Sequence, residues 1–311
     1  MRYDTDLFNR WDNAQTLISE EILAVATNPL ARVNTESIAV VADGFGHILE
    51  DPSCLDYFKA AILTLPAISV LESRMAPADP VDLFNARLAV EAALGQHMKD
   101  QYQQALISQK SVTLAATPGG RALQNRLLAL AVAAGDMMAD DVVATQVLDS
   151  NMTLSQGALA AVNNQRTAVR EMVLANFHDR WQDNALVLEK WFSFESMSSI
   201  GGRIARLKQL MQHPKFDSKN PNKLRVVLGA FMSGNPVRFY AADGSGFEFI
   251  ADCLIDIDKR NPQLAARMAL PLTRMGAYSD ARQHQMRQVL ERMQTAVQST
   301  DLGEVIEKAL A

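Results

Sequence analysis

Trp181-Gln-Asp-Asn-Ala-Leu-Val-Leu-Glu-Lys-Trp-Phe192 is the stretch whose reading decides the fold class. Trp181, Ala185, Leu188 and Phe192 recur at i, i+4, i+7 and i+11, which puts four apolar side chains on one helix face. The same period returns at Met286, Val289 or Leu290, Met293 and Val297. Leu17 to Ala26, Ile38 to Leu49, Tyr57 to Leu63, Val81 to Gln104, Arg121 to Ala134, Ala158 to Phe177 and Lys223 to Met232 also read as helices. Alternating patterns long enough for strands are scarce, so the chain is predicted to be all-α.

Helix starts are marked by a polar residue followed by proline. The cap oxygen accepts an orphan N–H, and the proline has a preset φ and no donor to lose. Asp51-Pro52, Asp79-Pro80, Thr117-Pro118, Asn220-Pro221, Asn235-Pro236 and Asn261-Pro262 are of this kind, and Ser69 with Glu72 has capping-box spacing. Many short helices joined by short loops form antiparallel pairs. In 311 residues such pairs are expected to stack as a superhelical solenoid of the right-handed ARM/HEAT-like kind. No clean sequence repeat supports that inference, which rests on helix count. Ala115 to Gly120 and Met197 to Gly202 read as inter-helix loops, too short to divide domains, so residues 1–311 are expected to form one domain. Arg238 to Ile250 departs from the helical pattern. There Asp243-Gly-Ser-Gly246 signals a tight turn that needs φ > 0 at Gly244 or Gly246, within a loop tucked against the helices.

Hydrophobic residues make up 48% of the chain and charged ones 21%, enough to bury a core and too apolar for disorder. The net charge of −5, with Lys and Arg scattered, lacks the basic field that nucleic acid requires. Cys54 and Cys253 are too few and too far apart for a disulfide framework or a zinc cluster, which fits a reducing cytoplasm. No apolar run reaches bilayer length, and no signal region opens the sequence, so no membrane partner is expected. By Trp11 an amphipathic pattern is already running. The chain is therefore expected to begin inside a longer polypeptide.

A zinc peptidase of the gluzincin type needs two histidines one helical turn apart, with glutamates as base and third ligand. His47, His97, His178, His213 and His284 include no pair closer than 35 residues, and each reads as a surface or packing residue. Gly244-Ser-Gly246 lacks the G-x-S-x-G elbow and the phosphate-loop Lys-Ser/Thr. Asp140 with Asp141, and Asp256 with Asp258, read as ordinary helix-end charge. Trp181 and Trp191 read as core anchors. Arg225 and Arg267 stand out because each follows a proline-started helix and lies among apolar neighbours, in Lys223-Leu-Arg-Val-Val-Leu228 and Leu264-Ala-Ala-Arg-Met268. On a half-buried face each could receive a ligand carboxylate bidentately or close an internal salt bridge with a neighbouring helix pair.

Asp6-Leu-Phe-Asn-Arg-Trp-Asp12, the stretch from Trp181 to Phe192, and Asn220-Pro-Asn-Lys-Leu-Arg-Val-Val-Leu-Gly-Ala-Phe231 resemble the C-terminal domain of bacterial zinc aminopeptidases of the N type. So do Asp243-Gly-Ser-Gly-Phe247, Arg260-Asn-Pro-Gln-Leu-Ala-Ala-Arg267 and Lys308-Ala-Leu-Ala311, in matching order, with the more specific motifs in the second half. The resemblance implies an α-superhelical domain that packs on a thermolysin-like zinc domain of the same polypeptide and roofs its chamber. It implies that zinc belongs to that other domain, that this chain alone carries no cofactor and no catalytic residues, and that it is not an enzyme by itself. Arg225 and Arg267 fall where the family carries arginines near the bound peptide, and Lys223 stands where relatives carry Arg, a departure that weakens bidentate recognition at that spot; these three are the substrate-channel candidates. The implied role is to control peptide access while the parent enzyme releases N-terminal residues. The rival expectation is a free-standing α-solenoid scaffold that binds another protein.

Overall fold

A computed structural model describes residues 4–28, 31–107, 109–201 and 203–311. Among them there is no strand, only an isolated bridge between Ala78 and Tyr278, and the all-α expectation holds. The helices gather into two compact units, residues 1–71 with 82–183, and residues 72–81 with 184–311.

The first unit is built from α1 (Leu7–Thr27), α2 (Thr35–Glu50), α3 (Asp56–Ile62), α4 (Ile68–Glu72), α5 (Pro80–His97) and α6 (Lys99–Ile107). It continues through α7 (Gln109–Ala115), α8 (Pro118–Ala133), α9 (Met137–Gln146), α10 (Met152–Val162) and α11 (Arg170–Trp181). Ile18, Ile22, Ile38, Phe45, Leu128, Val143, Leu159 and Phe177 form its interior. Polar groups are threaded through that interior. Glu91 on α5 is paired with Arg126 on α8, and Arg126 also donates from Nε to the Leu63 carbonyl at 2.7 Å. Arg87 lies 3.8 Å from the same carboxylate and donates to the Pro66 carbonyl at 3.0 Å. Burial opposes the charge on Glu91, but the two guanidiniums outweigh it and hold the carboxyl below its ordinary range. Nearby, Gln124 donates to Gln146 at 3.0 Å, and Gln146 donates to Asn125 at 2.8 Å and to the Leu154 carbonyl at 2.9 Å.

The second unit holds α12 (Ala185–Met197), α13 (Ile204–Met211), α14 (Pro221–Leu224), a π-helical turn at Arg225–Gly229, α15 (Ala230–Gly234) and α16 (Pro236–Phe239). After these come α17 (Ser245–Asp258), α18 (Pro262–Ala269), α19 (Asp280–Ala296) and α20 (Thr300–Leu310). Its interior is aromatic. Phe239 meets Phe231, Tyr240 and Phe247 edge-on at 6.0, 4.8 and 5.2 Å. The hydroxyls of Tyr240 and Tyr278 are 2.8 Å apart and buried. Residues 72–81 are strapped to this unit by Ala78 N–H to the Ala277 carbonyl at 2.8 Å, by Arg282 to Asp79 at 2.7 Å and by Arg274 to Glu72 at 3.4 Å.

Five of the six cap-and-proline pairs start helices as expected: Asp79, Thr117, Asn220, Asn235 and Asn261 precede prolines at N1. Asp51-Pro52 does not. Asp51 ends α2, its carboxylate accepts from Ser53 and Arg10 instead, and these hydrogen bonds hold its carboxyl well below the usual range. Ser69 lies inside α4 rather than capping it.

Three long helical readings are broken. Trp181 to Phe192 is not one helix: α11 ends at Trp181, and α12 begins after Asn184, whose Oδ1 accepts the Val187 N–H at 3.2 Å. A polar Gln182-Asp-Asn184 turn thus interrupts an apolar period that continues across it, and the Asn184 cap satisfies one of the orphan donors that the new helix start creates. Val81 to Gln104 divides at Met98 into α5 and α6, and Ala158 to Phe177 divides between α10 and α11. Val297 is the extended C-cap of α19 and not part of its face.

The loop expected from Arg238 to Ile250 shrinks to residues 240–244, since helix resumes at Ser245. Gly244 takes φ 72°, and the Asp243 carboxylate accepts from Ser245 N–H at 3.0 Å and Oγ at 2.6 Å. Gly246 is needed for space, because a Cβ there would lie 2.3 Å from the carbonyl oxygens of Arg238 and Phe239. Only residues 116–117 separate α7 from α8. The expected loop from Met197 to Gly202 is non-helical over 198–201, and its last residue lies outside the described residues.

Candidate functional site

The three predicted channel residues fall on two short helices of the second unit and the π-turn between them. α14 starts where Asn220 Oδ1 accepts the Asn222 N–H at 2.9 Å and Pro221 supplies the helical φ. Lys223, within that first turn, is only 6% exposed. Its ammonium lies 3.3 Å from Glu189 on α12 and 5.7 Å from the centre of the Phe192 ring. The internal salt bridge weighed for the arginines is therefore made by the lysine, and Lys223 ties α14 to α12.

Arg225 opens the π-turn. Widening the helix to i→i+5 bonding inserts an extra residue into the turn and shifts the side chains that follow, a distortion frequent at functional sites. Arg225 is exposed, not half-buried, and donates to Asn222 Oδ1 at 3.1 Å. Arg267 on α18 is also exposed, and among the described residues it has no hydrogen-bond or ion-pair partner. Its neighbours Leu264, Ala265 and Met268 are buried, so α18 anchors an outward-pointing guanidinium on an apolar underside.

Between these helices lies a cavity of about 320 Å³, lined by Ser218, Lys219, Leu224, Ile257, Arg260, Asn261 and Leu264. Leu224 precedes Arg225, and Leu264 is one turn before Arg267. The cavity thus adjoins both candidate helices. Sequence reasoning passed over Lys219 and Arg260 because neither lies within an apolar stretch. The signal available was their position immediately before the Asn220-Pro221 and Asn261-Pro262 helix starts. It also passed over Glu189, which sits between Trp181 and Phe192 on a turn facing α14.

Zinc, which the resemblance implies for the parent enzyme, finds no donor set here: among the described residues no three His, Cys, Asp or Glu side chains are grouped to hold a metal. The histidines have other contacts. His213 packs edge-on against Phe192 at 5.3 Å and accepts the Lys215 N–H at 3.1 Å, while His178 meets Asp179 at 3.0 Å. Cys54 and Cys253 are free thiols, the second pushed up to about 12 by burial and by Asp252 and Asp256. Trp191 is buried against Phe192 at 5.3 Å, as a core anchor should be, whereas Trp181 is half-buried at the end of α11.

A family model described as a domain of unknown function with ARM repeats, DUF3458_C, matches residues 1–311. Aminopeptidase N of Escherichia coli K12 is 33% identical over 100% of this chain. Aminopeptidase N of Caulobacter vibrioides is 34% identical over 93% of it. The chain belongs to this family, that of the C-terminal ARM-repeat domain of aminopeptidase N. It spans only 36% and 34% of the lengths of those two relatives. The crystal structure of Legionella pneumophila aminopeptidase A in complex with aspartic acid superposes on 99% of this chain and 37% of its own, with a TM-score of 0.85 and 25% identity. ARM-repeat membership agrees with the stacked helix pairs expected from the sequence. No helix among the described residues is long and apolar enough to cross a membrane.

Proposed function

We propose that this chain is the non-catalytic helical part of a zinc aminopeptidase, and that it caps the active-site chamber of the parent enzyme and governs which peptides reach it. The observation that carries this reading is the asymmetry of the match: whole-length similarity to aminopeptidase N, confined to about a third of those proteins. The chemistry would be metal-assisted hydrolysis of the N-terminal peptide bond by groups on a separate zinc domain. This chain would contribute positioning and exclusion of water. Arg225 and Arg267 suit the task of holding a peptide carboxylate, since both guanidiniums point outward and neither is ion-paired to an acid within the described residues. Lys223 would act beneath them by fixing α14 to α12 through Glu189. Phe8, Leu55 and Tyr57, exposed large apolar side chains of the first unit, are suited to docking on the zinc domain. The reading places the protein in the cytoplasm.

The test is aminopeptidase activity toward an alanyl chromogenic substrate, with zinc content by elemental analysis, for this chain alone and after mixing with a separately made zinc domain. Expected are no zinc and no turnover alone, and turnover or altered peptide selectivity on mixing. Stoichiometric zinc and turnover from the chain alone would overturn the proposal.

A further inference from the structure

We infer that the cavity between α14, α17 and α18 is a binding site for a carboxylate carried on a short aliphatic body. Its floor is apolar, made by Leu224, Ile257 and Leu264, all buried. Its polar lining is Ser218, Lys219 and Arg260, of which Lys219 carries the charge that no acid offsets by an ion pair. Among the described residues no carboxylate lines it. Arg260 is neutralised by Asp256 and reaches the Ser218 carbonyl and hydroxyl at 3.4 Å each, which braces the rim. Asp217 lies next to the rim and its carboxylate accepts the Lys219 N–H at 2.8 Å.

The Lys219 ammonium has no partner among the described residues. An unpaired lysine in the lining of an apolar hollow suits an anion whose remaining surface is hydrocarbon, because each half of the ligand meets its own complement. A volume of about 320 Å³ is at the small end of ligand pockets and suits a branched aliphatic acid. Nucleotides and sugar phosphates are too polar for the apolar floor of Leu224, Ile257 and Leu264. Asn261 is committed to its own helix, accepting the Leu264 N–H at 3.1 Å, so it shapes the wall. The inference does not depend on the peptide reading of Arg225 and Arg267, since binding to this chain is measured directly.

Two sources offer this chemistry, a free aliphatic acid and the C-terminal residue of a peptide. Titration calorimetry of the 311-residue chain with isovalerate, N-acetyl-leucine and N-acetyl-leucinamide separates them. Both acids should bind saturably, and the neutral amide at least about tenfold more weakly. Tighter binding of N-acetyl-leucine than of isovalerate identifies the peptide terminus, and the reverse order identifies the free acid. Lys219→Met and Lys219→Glu, at an exposed position where folding is undisturbed, should each weaken the acids by about tenfold or more. The inference is overturned by absence of saturable binding up to about 10 mM. Equal affinity for the amide, or unchanged affinity in Lys219→Glu, would overturn it as well.

Discussion

The two units of this chain bury their helices with different materials. In the first, Glu91 with Arg126 and Arg87, and Gln124 with Gln146 and Asn125, cross between helices inside an aliphatic core. In the second, the interior is filled by rings: Phe231, Phe239, Tyr240 and Phe247 stack edge to face, and Tyr240 reaches Tyr278. A buried ion pair is directional and demanding, since losing one partner leaves an unpaired charge. A ring cluster is tolerant in angle and indifferent to pH, and its stabilisation scales with buried area and contact geometry. The second unit also holds the Lys223–Glu189 pair, so the difference is one of emphasis: one repeat family can hold its helix pairs mainly by charge or mainly by shape.

The largest effects come from breaking each device. Glu91→Ala should cost about 3–5 kcal/mol by leaving Arg126 and Arg87 uncompensated, and Phe239→Ala about 3–5 kcal/mol by opening a cavity. Hydrogen exchange on α5 and α8 for the first, and on α16 and α17 for the second, should show the loss of protection within the unit that carries the substitution.

Acid separates the devices more sharply. The folded Glu91 carboxyl titrates below its ordinary value of 4.5. Its contribution is therefore fully present above that value and is lost as pH falls through the lowered one. Exchange protection of α5 and α8 should weaken below about pH 4.5, and Glu91→Gln should remove its share of that dependence. No matching response is expected from the rings around Phe239.

Smaller changes sharpen the account of the second unit. Gly244→Ala should cost about 1–2 kcal/mol in denaturant unfolding, because φ is 72° while the nearest atom to an added Cβ, on Gln285, is at an ordinary 3.8 Å. Arg267→Ala should shift stability by no more than about 0.5 kcal/mol, since its guanidinium has no partner among the described residues. A larger loss would show that Arg267 is structural and not available for a ligand.

Helix content, five of the six cap-and-proline starts and the turn at Gly244 were legible in the sequence because each is a local matter. Apolar period, cap oxygen and proline φ act within about one turn of the chain. Family membership was legible too, in the motifs from Asn220 to Arg267. The break between Trp181 and Ala185 was not, because the apolar period runs on through a turn whose flanking helices, α11 and α12, belong to different units, with Asn184 capping the second. The roles of Lys223, Arg225 and Arg267 also needed tertiary structure. Which cation meets Glu189, which stays outward and which neighbouring side chains enclose a cavity depend on residues brought together from distant parts of the chain. Spacing along a sequence carries no information about those distances.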